Sequence, residues 1–221
     1  MLDTDSMRNT EEKRKAFNES RTPRRSGLRE QHAEATRQAL LTAASARFAQ
    51  QGYAHTSLDD VAADAGTTKG AVYHHFKDKQ ALFAATYEHL SAALVEALVR
   101  HPQMASGEVA DAIAAFLELA PHPGYSRVLF LEGPAVLGPA ACRAIDMRHG
   151  LGLMEALVSR FITPEVRSLA STSVLTRLML ATLIEAVQMI ASEPDAAAAA
   201  AVARQARHVL DRSFGALAAP R

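Results

Sequence analysis

The sequence predicts an all-α protein. Three observations point there. Alanine and leucine dominate the 221 residues, hydrophobic residues make up 48% of them, and no stretch shows the alternation of a β-strand. Beyond about residue 31, apolar residues recur at three- and four-residue spacing. The glycines and prolines, eleven and nine in all, gather at a few points that punctuate these runs. A chain of this length buries a sizeable core, as one large domain or two modest ones.

Residues 1–30 carry charge blocks and no apolar period, which reads as a disordered tail. Within it, Arg24-Arg25 is either a minor-groove arm or ordinary solvated tail. From His32 to Gln51, Ala39, Leu40, Ala43, Ala44 and Phe48 mark one face of a helix that Gly52 stops. Ser57 and Asp60 have capping-box spacing, opening a second helix from Leu58 to Ala65 that buries Leu58, Val61, Ala62 and Ala65. Gly66 supplies a turn, Thr67 or Thr68 caps a third helix reaching Phe76, and Asp78 caps a fourth. That fourth helix is long, running through Leu82, Tyr87 and Leu94 to about His101-Pro102.

The remainder reads as helices at about 107–120, 124–137, 139–162, 165–192 and 194–218, parted by proline- and glycine-bearing junctions. Pro134 should kink or split its helix. The alanine run 196–201 is a smooth helix surface.

Two short helices joined at Gly66 fit a helix-turn-helix, whose second helix enters the DNA major groove. At about 100° per residue, Val72 and Phe76 lie roughly 40° apart, and Gly70 and His74 form a pair about 160° away. One face is greasy, the other small and polar, with Tyr73 at the boundary and Lys69 at the N-terminal edge. Gly70 costs about 1 kcal/mol of helix stability relative to alanine, which makes sense where backbone approaches a groove closely. The helix N-termini at Ser57 and Thr67-Thr68 offer N–H groups to phosphates, and Lys77 and Lys79 add point charges. His75 reads as a core-edge residue. Periodicity alone equally allows an amphipathic helix with a solvated face.

The stretch from about Gln38 to Ala85, with SLDDVAADAGTTKGAVYHHFKDKQALFAA at its centre, resembles the TetR (tetracycline-repressor-like) family of bacterial transcriptional regulators. The shared pattern is V-A-x-x-A-G, then T-K-G-A-V-Y-H-H-F, then K-x-K-x-x-L-F, in register. The resemblance implies that Thr68, Lys69, Gly70, Ala71, Tyr73 and His74 lie on a DNA-facing helix, with Ser57 and Lys79 at phosphates. It also implies three parts: a tail (1–30), a helix-turn-helix DNA-binding domain (31–85) and an α-helical ligand-binding and dimerisation domain (86–221). The expected activity is that of a homodimeric repressor on pseudo-palindromic double-stranded operator DNA, released by a small-molecule effector. A ligand-independent DNA-binding regulator is the alternative.

In the body, Leu175, Leu178, Leu183, Val187, Val202, Leu210 and Phe214 are candidates for a four-helix dimer interface, or for plain bundle core. Phe116, Phe130, Met147, Met154 and Met179 are candidates for an adaptable effector pocket, or again for core. Arg127, Glu132, Asp146 and His149 are polar groups in apolar helices that either orient an effector or sit on solvent, and Arg143 and Asp146 have surface-pair spacing.

Other function classes find little support. No nucleophile–base pattern, phosphate loop or metal-ligand spacing is present, so neither an enzyme, a cofactor nor a metal is expected. The single cysteine, Cys142, fits a reducing compartment, and there is no run of about 18 apolar residues to suggest a membrane span. A bacterial cytoplasmic location, on the nucleoid when DNA-bound, is the expectation. Net charge is zero, but three of the five lysines (Lys69, Lys77 and Lys79) fall around the third helix.

Overall fold

The computed structural model describes residues 22–217, with side chains from Arg29 onward, and no β-strand occurs among them. The head consists of α1 (Thr22–His55), α2 (Leu58–Asp64), α3 (Lys69–His75) and the first turns of α4 (Lys79–Arg100). Its core is built from the residues the periodicity marks. Leu40, Ala44 and Phe48 of α1, Val61 of α2, Val72 of α3 and Leu82 and Phe83 of α4 are all fully buried. Phe48 and Phe83 meet edge to face with ring centroids 5.0 Å apart, a favoured aromatic geometry.

The caps fall where the sequence puts them. Ser57 Oγ accepts from Asp60 N, Thr68 Oγ1 from Ala71 N, and an Asp78 carboxylate oxygen from Ala81 N. The Ser57–Asp60 pair differs in one respect from a reciprocal box. Asp60 Oδ2 takes the Ser57 hydroxyl proton at 2.6 Å, leaving the cap's own N–H aside. Gly66 makes its turn at φ 63°.

Helix α1 begins ten residues before the expected His32. Residues 22–31 bear no apolar stripe, so periodicity is blind to them, and extending an anchored helix is cheaper than nucleating a new one. Of the tail expected at 1–30, residues 22–30 are therefore helical instead of disordered, while residues 1–21, and the side chains of Arg24 and Arg25, lie outside the described residues. At the other end Gly52 (φ 77°, ψ 172°) breaks the helical path as expected, but one more turn runs on to His55.

The body opens with a 3-10 turn (Pro102–Ser106) and α5 (Val109–Leu119). Helix α6, residues 123–137, is composite: Pro123–Tyr125, a π-helical stretch Ser126–Glu132, and Gly133–Leu137. Helix α7, residues 139–161, repeats the pattern as Pro139–Asp146, a π turn Met147–Leu151 and Gly152–Phe161. Then come α8 (Pro164–Leu169), α9 (Thr172–Ala191) and α10 (Ala196–Gly215). The single helix expected at 165–192 is therefore two, parted at extended Ala170, where Ser171 Oγ caps α9 by accepting from Val174 N.

Pro134 does not split α6, whose residues stay helical from 123 to 137, because the π stretch absorbs it. A proline lacks the N–H that would bond the carbonyl four residues back and crowds that carbonyl. Here Gly133 N reaches one residue further, to Val128 O, and the orphaned Phe130 O accepts instead from Gln188 Nε2 of α9 at 2.7 Å. Gly133 is required for this packing. A Cβ there would lie 2.5 Å from Tyr87 Cε2 and 2.8 Å from Val128 O.

Candidate functional site

Two features of the molecule have functional geometry: the outer face of α3 and a cavity inside the body. On α3, Val72 and Phe76 (the residue after its last turn) point inward and are buried, while Thr68, Lys69, Gly70 and His74 are exposed and Tyr73 is 50% exposed. Ala71 and Thr67 are half-buried beside them. Gly70 has no internal reason to be glycine. It is helical, its φ is negative, and a Cβ would meet nothing nearer than Thr68 Oγ1 at 3.8 Å. His75 sits at the core edge as expected, its pKa lowered by burial and by neighbouring His74 and Arg37.

The charges around this face are unequal in freedom. Lys77 is exposed and only 4.0 Å from adjacent Asp78. Lys69 Nζ is paired with Asp59 at 2.9 Å, which together with the accompanying hydrogen bond raises its pKa. Ser57 is exposed, with its hydroxyl engaged by Asp60. Lys79 is a correction. Its ammonium donates to Tyr53 O (2.7 Å), Thr56 O (3.1 Å) and Ala54 O (3.4 Å) and lies 4.4 Å from the Tyr53 ring centroid. It closes the C-terminal turn of α1, so its three protons are spent inside the protein rather than held out for a phosphate.

Within the body, α4, α5, α6, α7 and α9, with Met104 of the 3-10 turn, line a cavity of about 110 Å3 that is partly open to solvent. Of the seven pocket candidates, Phe116, Phe130, Met154 and Met179 line it. Three do not. Met147 is 52% exposed, its neighbour His149 is 2.9 Å from Glu88 of α4, and Arg127 donates to Gln50 O at 2.8 Å and Ala49 O at 3.3 Å in α1. The polar members that sequence reasoning missed are Tyr87 and Ser91 of α4, which meet Asp146 at the cavity wall. Their positions on the long helix carry the same spacing as its core leucines, so only the half-buried carboxylate opposite them distinguishes their role. Asp146 points inward and makes no surface pair with Arg143. Burial raises its pKa and drives the Tyr87 phenol well above its ordinary range.

The candidates for a dimer interface also need correction. Leu183, Val187, Leu210 and Phe214 are buried in the protomer's own core and are unavailable to a partner; Leu175 and Val202 are half-buried. Of the interface candidates only Leu178, 62% exposed, stands free, on one stripe with Val174 and Met189, while Val209 is exposed on α10. Four candidates fell on the wrong face because α9 and α10 are apolar on two sides, and a wheel shows the stripes without saying which one the protomer covers.

Comparison with known proteins agrees with this architecture. Residues 40–86 match the family model of bacterial regulatory proteins of the tetR family, and residues 106–213 match that of the tetracyclin repressor-like C-terminal domain. The chain is 50% identical over 58 residues to the HTH-type transcriptional regulator AcrR of Shigella flexneri, a match covering 26% of this chain and 27% of that protein. It is 26% identical over 131 residues to the transposon Tn10 TetC protein of Escherichia coli, covering 58% of this chain and 66% of the other. The first of these relatives is thus matched over about a quarter of its length and the second over just under two thirds. Among solved structures, a TetR-family transcriptional regulator from Pectobacterium atrosepticum superposes with a TM-score of 0.67 at 30% identity, covering 86% of this chain and 98% of that one. With its helix-turn-helix head, its helical body and that whole-chain likeness, this chain belongs to the TetR family of bacterial transcriptional regulators.

Proposed function

We propose that the chain is a homodimeric cytoplasmic repressor that reads a pseudo-palindromic operator with α3 and is released when a small molecule fills the body cavity. The observation that carries the reading is Gly70. Nothing in the protomer excludes a side chain there, yet a helix-weakening residue occupies the centre of an exposed face flanked by Lys69, Tyr73 and His74. A surface that must let backbone into a groove explains it. Thr68 and Ala71 border that face, while Ser57, Thr67 and Lys77 flank it as positioning contacts. The division into a DNA-binding part to about residue 85 and a sensing part beyond it belongs to the same proposal.

Dimerisation is supported by α9. The helix is long and apolar enough to pass for a membrane span, yet only a third of that stretch is buried in the protomer. The exposed Val174–Leu178–Met189 stripe suits a self-complementary face about a two-fold axis. Two heads so related address half-sites roughly 34–36 Å apart.

Release requires the cavity and α3 to be coupled, and two connections join them. Helix α4 runs unbroken from Phe83 in the head core to Tyr87, Ser91 and Leu94 on the cavity wall. The π stretch of α6 lines the cavity with Leu129 and Phe130 and grips α1 with Arg127 and Glu132. A ligand preferring one arrangement of these helices weakens DNA binding by the same factor by which DNA weakens ligand binding. An interior that holds a cavity favours this reading over a ligand-independent regulator.

The test begins with fragments of genomic DNA selected by the full-length protein and titrated by fluorescence anisotropy. Tyr73→Ala and Lys69→Ala should each weaken binding about tenfold while leaving the thermal melt unchanged, since both side chains are exposed. Isotherms identical to wild type would reject α3 as the reading helix. Asp59→Asn should act in the opposite direction. It frees Lys69 from an exposed ion pair and removes a negative charge near the phosphates, so binding tightens up to about fivefold. The gain should shrink as salt rises; weaker binding by the variant would mean that Lys69 serves the head and not the DNA.

A further inference from the structure

The polar end of the cavity specifies a charge. Asp146 is the one charged residue on a wall otherwise made of aliphatic, aromatic and methionine side chains, apart from the hydroxyls of Tyr87 and Ser91. Its Oδ1 faces Tyr87 OH at 3.2 Å and Ser91 Oγ at 3.2 Å, and its Oδ2 faces Tyr87 OH at 3.1 Å. Two hydroxyl protons are thus shared among roughly four acceptor sites, at distances well beyond the usual 2.7–2.8 Å or so for O–H···O. No ion pair reaches Asp146 among the described residues. His149, one turn along, is near enough for its charge to favour the Asp146 carboxylate, but it makes no direct contact with it, its ring being held 2.9 Å from Glu88, which Arg148 also meets at 3.0 Å.

A carboxylate so placed discriminates among ligands. An anion would bring a second like charge into a low-dielectric space, and an apolar neutral molecule would strip water from the carboxylate without replacing it. A protonated amine supplies both the missing charge and N–H donors, and charge-assisted hydrogen bonds are about twice as strong as neutral ones. The rest of the wall sets the body of the ligand. Phe116 and Phe130 stand edge to face, centroids 6.3 Å apart, and Met104, Met154 and Met179 give a surface that reshapes readily. The volume of about 110 Å3 is below the roughly 150 Å3 of an engineered apolar cavity that takes up benzene, so it limits the ligand's apolar body to at most one ring or a short branched chain.

We infer that the cavity takes a small lipophilic cation, a protonated primary or secondary amine on an apolar body of about one ring, with its ammonium on Asp146 between Tyr87 and Ser91. The ligand class rests on the effector reading of the same cavity but is tested apart from it. Isothermal titration of the full-length protein, without DNA, compares benzylamine, benzyl alcohol and benzoate, which share a ring and differ in charge. Benzylamine should bind about tenfold more tightly than benzyl alcohol, the scale of one charge-assisted bond over a neutral one, and benzoate should not bind measurably. In Asp146→Asn, which keeps the shape, benzylamine should fall to the level of benzyl alcohol while the alcohol stays within about twofold of its wild-type value.

Equal binding of amine and alcohol to the wild-type protein, no binding of benzylamine, or an amine preference that survives Asp146→Asn would each overturn the inference. The wild-type comparison stands even if the variant fails to fold. Release of the selected DNA is measured separately with the same three compounds. If benzyl alcohol releases DNA as well as benzylamine does, the effector reading holds and the cation class falls. If benzylamine binds through Asp146 and leaves DNA affinity unchanged, the class holds and the effector reading falls.

Discussion

Val72→Asp should unfold the head rather than merely blind it to DNA. Val72 is fully buried beneath α3, in the same core as Phe48, Val61 and Phe83. The two α1 arginines beside the head core are already committed, Arg47 to Asp64 at 2.5 Å and Arg37 over the Phe76 ring, 5.1 Å from its centroid. A buried unpaired charge belongs to the short list of changes that cost more than about 4–5 kcal/mol, a large share of the stability of any small domain. Circular dichroism should show helix lost from about a quarter of the chain at room temperature, and limited proteolysis should cut within 32–78 while sparing α9 and α10. A variant that melts like wild type yet no longer binds DNA would show that the inward and outward faces of α3 have been exchanged.

The adjacent residue makes the contrast sharp. Tyr73 is 50% exposed, so its truncation leaves the core intact, whereas one step along the helix the same core would collapse. Neighbouring positions differ this much because about 100° of helix separates them, and that is also why the head was legible from sequence. Its helices are amphipathic on one side only, α2 and α3 are short, and side-chain caps at Ser57, Thr68 and Asp78 act on backbone three residues away. Local rules suffice where the information is local.

The body resisted the same treatment for identifiable reasons. Helices α9 and α10 are apolar on more than one side, so Leu183 and Val187 could not be told from Leu178 until the protomer's own packing was known. The π stretches at 126–132 and 147–151 leave no mark in a period of 3.6, although Gly133-Pro134 hints at the first. Lys79 matched a phosphate-contact position by resemblance, but three carbonyls from the turn after Gly52 claim it, and no spacing in the sequence reveals them. Asp146 was visible as a carboxylate in an apolar helix. Its direction was not, because that depends on Tyr87 and Ser91, 59 and 55 residues away.

Those long-range contacts matter most at the junction of head and body, where Glu132→Ala should uncouple the two. Glu132 Oε2 accepts from Tyr53 N at 2.6 Å, just past the Gly52 break in α1. Its other oxygen lies 3.5 Å from Arg127 Nε, and Arg127 in turn caps Gln50 O. Gly52 is part of the same fitting, since a Cβ there would stand 2.3 Å from Glu132 Oε1 and φ 77° would strain any other residue. Removing the carboxylate leaves the Tyr53 N–H without its acceptor, a loss of about 1–3 kcal/mol, and frees Arg127 to leave α1. Calorimetry should then show the unfolding endotherm broaden or divide, with the head melting first, and exchange of the Tyr53 amide should quicken about tenfold or more. Glu132→Gln keeps an acceptor oxygen and should recover part of both effects. If Glu132→Ala melts in one transition at the wild-type temperature with Tyr53 still protected, α4 alone joins cavity to head, and the π stretch of α6 serves only to accommodate Pro134.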